Sequence, residues 1–160
     1  MKNFFKAIIA FLIVFTFVAI PIEATSKVPK DVKAACEKWG EEYGICPELL
    51  ESIAYEESRY TADAKSKDGS CLGLMQIHKA SHKQRIKNLE IKDLYDIDDN
   101  VQVATDYLAE LFEEYEEVST VLMIYHGEKD AVRKGEQGKI SRYAKRVMKR
   151  SEALERQHGK

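Results

Sequence analysis

Eight residues decide what kind of fold this chain can adopt. Val118 to Tyr125 (VSTVLMIY) are nearly all apolar, and a helix apolar on every side must be enclosed by other elements. With Ser119 as its cap, this segment is predicted to be the buried central helix of a bundle. The enclosing helices are legible from their periodicity. Val101 to Tyr115 is the clearest, with Val101, Ala104, Leu108, Leu111, Phe112 and Tyr115 along one side. Ile140 to Leu154 turns Ile140, Tyr143, Val147 and Leu154 inward, and Asp31 to Tyr43 does the same with Val32, Ala35, Trp39 and Tyr43. Ser81 to Leu89 reads as a short basic helix and Leu94 to Asn100 as a connector ending in an acidic, Asn-containing cap. Tyr60 to Leu72 reads as a loop with a small hairpin, and Gly127 to Gly138 as a polar loop. No segment keeps a strand's alternation for long, and no internal repeat is present. The expected fold class is all-α, in one domain over 31–160.

The second informative stretch is Leu49 to Ile77, LLESIAYEESRYTADAKSKDGSCLGLMQI. Gly44 stops the preceding helix and Pro47 stands at a first helical position. At about 100° per residue, Leu49, Leu50, Ile53 and Ala54 form one face, and Glu57 falls in line with it. Glu56 points roughly a quarter turn away; Glu48, Glu51 and Tyr55 fall on the far side. An acid on a core-facing line has to be paired, solvated in a cleft or kept protonated.

Four short motifs then occur in a fixed order. Glu57-Ser58-x-Tyr60 with Ala64-x-Ser66, Gly69 and Gly73-Leu74-Met75-Gln76-Ile77 is similar to the Glu-Ser and Gly-Leu-Met-Gln signatures of lytic transglycosylases. The narrower resemblance is to the soluble lytic transglycosylase domain, related to goose-type lysozyme. Asp98-Asp99-Asn100-Val101 with Tyr107-Leu108 resembles that family's Asn-Ile…Tyr-Leu helix. Met123-Ile124-Tyr125-His126-Gly127 resembles its Ala-Tyr-Asn-x-Gly segment, and Ile140-x-x-Tyr143-x-x-x-Val147 its closing helix. The likeness runs from about Tyr43 to Arg150. It departs from the family at His126, where Asn is usual, and by one extra residue between Ala64 and Gly73.

The resemblance implies a lysozyme-like fold and cleavage of the β-1,4 bond between N-acetylmuramic acid and N-acetylglucosamine, closing a 1,6-anhydro ring. Glu57 would be the catalytic acid and then the base. A carboxyl in that role needs burial to lift its pKa toward ~6. Ser58, Ser66, Met75, Gln76, Tyr125, His126 and Tyr143 fall on positions implied to meet the glycan or to hold Glu57. Gln76 would give a bidentate amide contact, Met75 would line the groove, and Tyr125 and Tyr143 would stand beside Glu57. The alternatives are a hydrolysing muramidase on the same fold and a catalytically silent wall-binding or assembly protein.

The remaining features bound the setting. Lys2, Lys6 and the apolar run Ala7 to Ile20 read as a signal peptide over 1–24, or as an uncleaved anchor, followed by a linker over 25–30. Either places the domain outside the cytoplasmic membrane. Cys36, Cys46 and Cys71 allow at most one internal disulfide, Cys46–Cys71 or Cys36–Cys71, or else three free thiols. Neither a Cys-x-x-Cys pair nor a zinc pattern is present. His78 and His82 are spaced four apart with no carboxylate at a ligand spacing, so no metal or cofactor is expected. Net charge is −2, with an acidic run at Glu110 to Glu117 and a basic one from Arg133 to Arg156. Neither carries a stacking motif, so nucleic acid is not expected as a partner. The expected partner is a peptidoglycan glycan strand, with no membrane contact beyond the leader, and the protein is expected to be a monomer.

Overall fold

The apolar octapeptide does become an enclosed helix. A computed structural model describes residues 27–160, so the leader lies outside the described residues. Within them α1 (Lys30–Tyr43), α2 (Pro47–Ser58), α3 (Lys83–Asn88), α4 (Ile97–Glu114), α5 (Val118–Tyr125), α6 (Ala131–Glu136) and α7 (Arg142–Gln157) pack around one core. A single antiparallel hairpin, β1 (Cys71–Leu72) and β2 (Ile77–His78), completes the set. In α5, Ser119 to Met123 are buried, and α4, α6 and α7 all pack on it. Glu117, not Ser119, is its N-cap residue.

Helix α2 shares the centre, and here the single-helix reading fails. Leu50, Ile53 and Ala54 are fully buried as expected, but so are Glu48 and Glu51 on the opposite side. The cause is tertiary: α1 covers one flank of α2 and α7 covers another, leaving no solvent face in its first two turns. Glu48 is compensated there. His158 Nδ1 and Lys160 Nζ each approach its Oε1 to 2.8 Å, and the Cys46 thiol donates to Oε2 at 3.0 Å. Burial pushes its pKa up, but the hydrogen bonds from Lys160, Cys46 and His158 prevail and hold it at about 2.

Glu51 has no such help. Neither carboxylate oxygen has a hydrogen-bond partner, and burial lifts its pKa from 4.5 to about 7. An acid whose folded value lies above its unfolded value stabilises the fold fully only below the unfolded value. Stability from this group is therefore lost as pH rises from about 4.5 to about 7, and is level beyond. At about 1.4 kcal/mol per unit, the loss is on the order of 3–4 kcal/mol. Glu51→Gln, neutral throughout, is expected to lack this slope and to be the more stable protein above pH 7. Thermal unfolding of both proteins across that range checks it; parallel stability curves would contradict it.

Several boundaries differ from the expected ones, each for a local reason. Helix α1 takes in Lys30, the last residue assigned to the linker. Helix α4 begins a turn early because the Asp96 carboxylate accepts from Asp99 N, and Asp98 and Asp99 suit the positive end of a helix. The loop over 127–138 contains α6, whose Gly135 lies against Thr120 so closely that a Cβ would stand 2.0 Å from its hydroxyl oxygen. Helix α7 starts at a Ser141 cap that accepts from Ala144 N at 3.1 Å, which leaves Ile140 outside the helix and 39% exposed rather than inward. Tyr143, Val147 and Leu154 are buried as the periodicity predicts.

The hairpin pairs Cys71 with His78 and Leu72 with Ile77. It therefore lies across Gly73 to Gln76, not within Tyr60 to Leu72, although Lys65 bridges to Leu72. All three cysteines are free thiols: Cys36 is buried, Cys46 exposed and Cys71 half-buried. A Cys46–Cys71 bridge would have to span α2, roughly 18 Å at the usual helical rise. The Cys36 thiol lies under α2, where burial and then the Glu51 carboxylate push its pKa up.

Candidate active site

Glu57 stands in the last turn of α2, where the helix leaves the enclosed core. Its side chain is 12% exposed, withdrawn from bulk water yet open on one side. Arg59, left-handed at φ 56°, ends the helix. Ser58 closes that turn: its hydroxyl donates to Ala54 O at 3.2 Å and accepts from Thr61 N at 3.1 Å. Both of these bonds are to the backbone of the turn.

Two aromatic side chains converge on Glu57. Tyr143 Oη, from α7, donates to Oε1 at 2.6 Å. Burial and then the Glu57 charge push the Tyr143 pKa far up, so the phenol is a fixed donor. His126, just past α5, puts Nδ1 3.5 Å from the same Oε1. Its ring lies flat on Tyr143, with centroids 3.8 Å apart and planes within 7°. The Glu57 carboxylate raises the imidazole pKa above its ordinary value, against the opposing effect of burial.

The hairpin turn forms the adjoining wall, and some expectations change there. Met75 is fully buried, so its side chain belongs to the core and lines no groove. Its backbone is what the site uses: Met75 O accepts from Tyr125 Oη at 2.9 Å, and Met75 N donates to Asn100 Oδ1 at 2.7 Å. Tyr125 therefore fixes the turn and makes no bond to Glu57, although after burial the Glu57 charge is the next cause of its raised pKa. Gln76 turns its amide back, Nε2 donating to Gly73 O at 2.9 Å; a bidentate amide contact outward is not open to it in this arrangement. Ser66 is likewise occupied, donating to Asp68 Oδ1 at 2.6 Å and accepting from Cys71 N at 2.9 Å.

Residues 34–148 match the family described as the transglycosylase SLT domain. The chain belongs to that family. The SLT domain superposes on lytic transglycosylase Slt from Pseudomonas aeruginosa, solved as an inactive glutamate-to-glutamine mutant, with a TM-score of 0.67 at 17% identity. That superposition covers 82% of this chain but 25% of the other, so the chain spans about a quarter of that protein's length. At this identity the likeness establishes the lysozyme-like fold. No curated protein matches the chain.

Within this SLT domain Glu56 and Asp68 are engaged by other partners. Glu56 accepts from Arg146 Nε at 2.7 Å and pairs with Arg59 at 3.4 Å. Asp68 is exposed and bonded to the hydroxyls of Ser66 and Ser70, which hold it at about 2. Asp63 is exposed. Among the described residues no group of three or more His, Cys, Asp or Glu is placed to hold a metal. His78 bonds Ser81, and His82 packs on Tyr107. A cavity of about 500 Å³ lies elsewhere, lined by Asp31, Lys38, Tyr95 and Asp98 among others, and no residue of the Glu57 group borders it.

Asn100 was legible only as part of a cap, yet it organises the wall. It is fully buried; Nδ2 donates to Leu94 O at 2.7 Å and to Leu72 O at 3.1 Å, while Oδ1 takes Met75 N. The available signal was its place four residues before Ala104, on the apolar line of α4.

Proposed function

We propose that this chain is a peptidoglycan lytic transglycosylase that cleaves the MurNAc–GlcNAc β-1,4 bond and leaves 1,6-anhydro-MurNAc. The observation that carries the reading is one carboxyl, Glu57, gripped by Tyr143 at 2.6 Å while its sequence neighbour Glu56 is neutralised by two arginines. Glycosidases that use water or a covalent intermediate work with two carboxyl groups. With a single one, the carboxyl proton goes to the glycosidic oxygen as the C1–O bond breaks, its electron pair leaving with that oxygen. The substrate's own acetamido group can assist departure at C1. The carboxylate then takes the proton of the C6 hydroxyl as O6 bonds to C1. Glu57 ends protonated, no water is consumed, and no cofactor takes part.

Family membership supports a glycan strand as the substrate. Incubation with purified sacculi is the test: soluble muropeptides should appear, whereas retention on sacculi without release would mark a silent binding protein. Export belongs to the same proposal. Protein recovered from the medium should begin near Thr25, as mass spectrometry can show; full-length protein found only in membranes would make the leader an anchor.

A further inference from the structure

His126 occupies a place where this chain departs from its resemblance, and the structure gives it a specific neighbour. Its Nδ1 and the Tyr143 hydroxyl address the same Glu57 oxygen, at 3.5 and 2.6 Å. The stack on Tyr143 fixes the imidazole plane, so the ring is held beside the carboxylate while its side chain stays 43% exposed. An amide here would offer a hydrogen bond; an imidazole also offers a site for a proton.

We propose that His126 is a positioning residue that holds a proton jointly with Glu57, so that the site works as a carboxyl–imidazole pair rather than as a lone carboxyl. The inference rests on the functional reading above. The transfer is a simple exchange: the Nδ1–H bond breaks, the Oε1–H bond forms, and the charges on the two groups cancel. The other charged and titratable groups facing His126 are Tyr143 and Arg146 on α7 and Glu128 beyond α5. Arg146 is engaged by Glu56 at 2.7 Å, and Glu128 by Lys134 at 3.2 Å. Glu57 is thus the dominant partner, and it raises the imidazole pKa.

Two groups sharing one proton titrate as a pair. While the pair keeps one proton, the share of it resting on Glu57 does not vary with pH. The acid needed for bond cleavage is therefore present until that last proton is lost. The alkaline limb of the activity profile then belongs to the pair, and it lies at higher pH than for a site without the imidazole.

The test has two arms. The first is NMR titration of the imidazole, with the His126 signal assigned by its absence in His126→Asn. Its midpoint should fall by roughly 1 pH unit in Glu57→Gln, the scale of one close opposite charge. The second is the pH profile of kcat/KM in His126→Asn and in His126→Phe, which keeps the stack but not the proton. In both the alkaline limb should move to lower pH, whereas a merely structural histidine would lower kcat with the limb in place. An imidazole titration indifferent to Glu57→Gln, or a limb unmoved in both variants, overturns the proposal. If the wild type releases nothing from sacculi, the functional reading has failed, and the substrate-free titration still decides the pair.

Discussion

Glu57→Gln is expected to abolish turnover on sacculi while leaving the fold and glycan binding intact. Glutamine is nearly isosteric, and its amide oxygen can still accept the Tyr143 hydroxyl that now meets Oε1 at 2.6 Å. The variant cannot give a proton to the leaving oxygen or take one from the C6 hydroxyl. One positioned acid or base contributes about 10²–10⁴-fold, and here both roles fall on one group, so a loss of at least roughly 10³-fold is expected. Rates of muropeptide release, set beside sedimentation of the variant with sacculi, separate chemistry from binding. Activity within tenfold of wild type would remove Glu57 from the reaction.

Gly73→Ala should be the most damaging small substitution in the hairpin. Gly73 has φ 78°, and a Cβ there would stand 2.1 Å from Leu94 O and 2.2 Å from Asn100 Nδ2. The first is backbone and cannot rotate away. The second belongs to the side chain whose three hydrogen bonds tie Leu72, Met75 and Leu94 together. Relieving the clash breaks those bonds and leaves buried carbonyls unpaired, at about 1–3 kcal/mol each. Left-handed strain adds roughly 1–2 kcal/mol, so a loss of about 4 kcal/mol or more is expected. Gly127→Ala is the control, because Gly127 has a similar φ of 72° but nothing within 4 Å of its Cβ position. It should show the strain alone. Urea unfolding of the two variants tests this, and equal losses would mean that crowding at Gly73 is unimportant.

The legible part of this protein was what one helix at a time can show. Period and apolar content suffice for α1, α4, α5 and α7, because each buries a stripe or a whole surface that a single helix displays. The family motifs extended this to Glu57 and Tyr143, which the fold brings to 2.6 Å although they are 86 residues apart in sequence. What stayed hidden depends on partners distant in sequence. Glu48 and Glu51 sit on what a lone α2 would show to water, and it takes α1 on one flank and α7 with the tail to His158 and Lys160 on another to bury them. Met75 and Gln76 carry the right motif, but the hairpin points one into the core and folds the other onto Gly73 O. The role of Asn100 was hidden for a similar reason, since its three partners come from two other segments. The stack of His126 on Tyr143 requires α5 and α7 to be side by side, which no local pattern displays.

The central claim is that one carboxyl acts twice and that the substrate's own hydroxyl replaces water. Mass spectrometry of the muropeptides released from sacculi reads this outcome directly. The account predicts products ending in 1,6-anhydro-muramic acid, each lighter by one water than the product of hydrolysis. Predominantly reducing-end muramic acid would contradict it and would require a second catalytic group, with Asp63 and Asp68 the first positions to test.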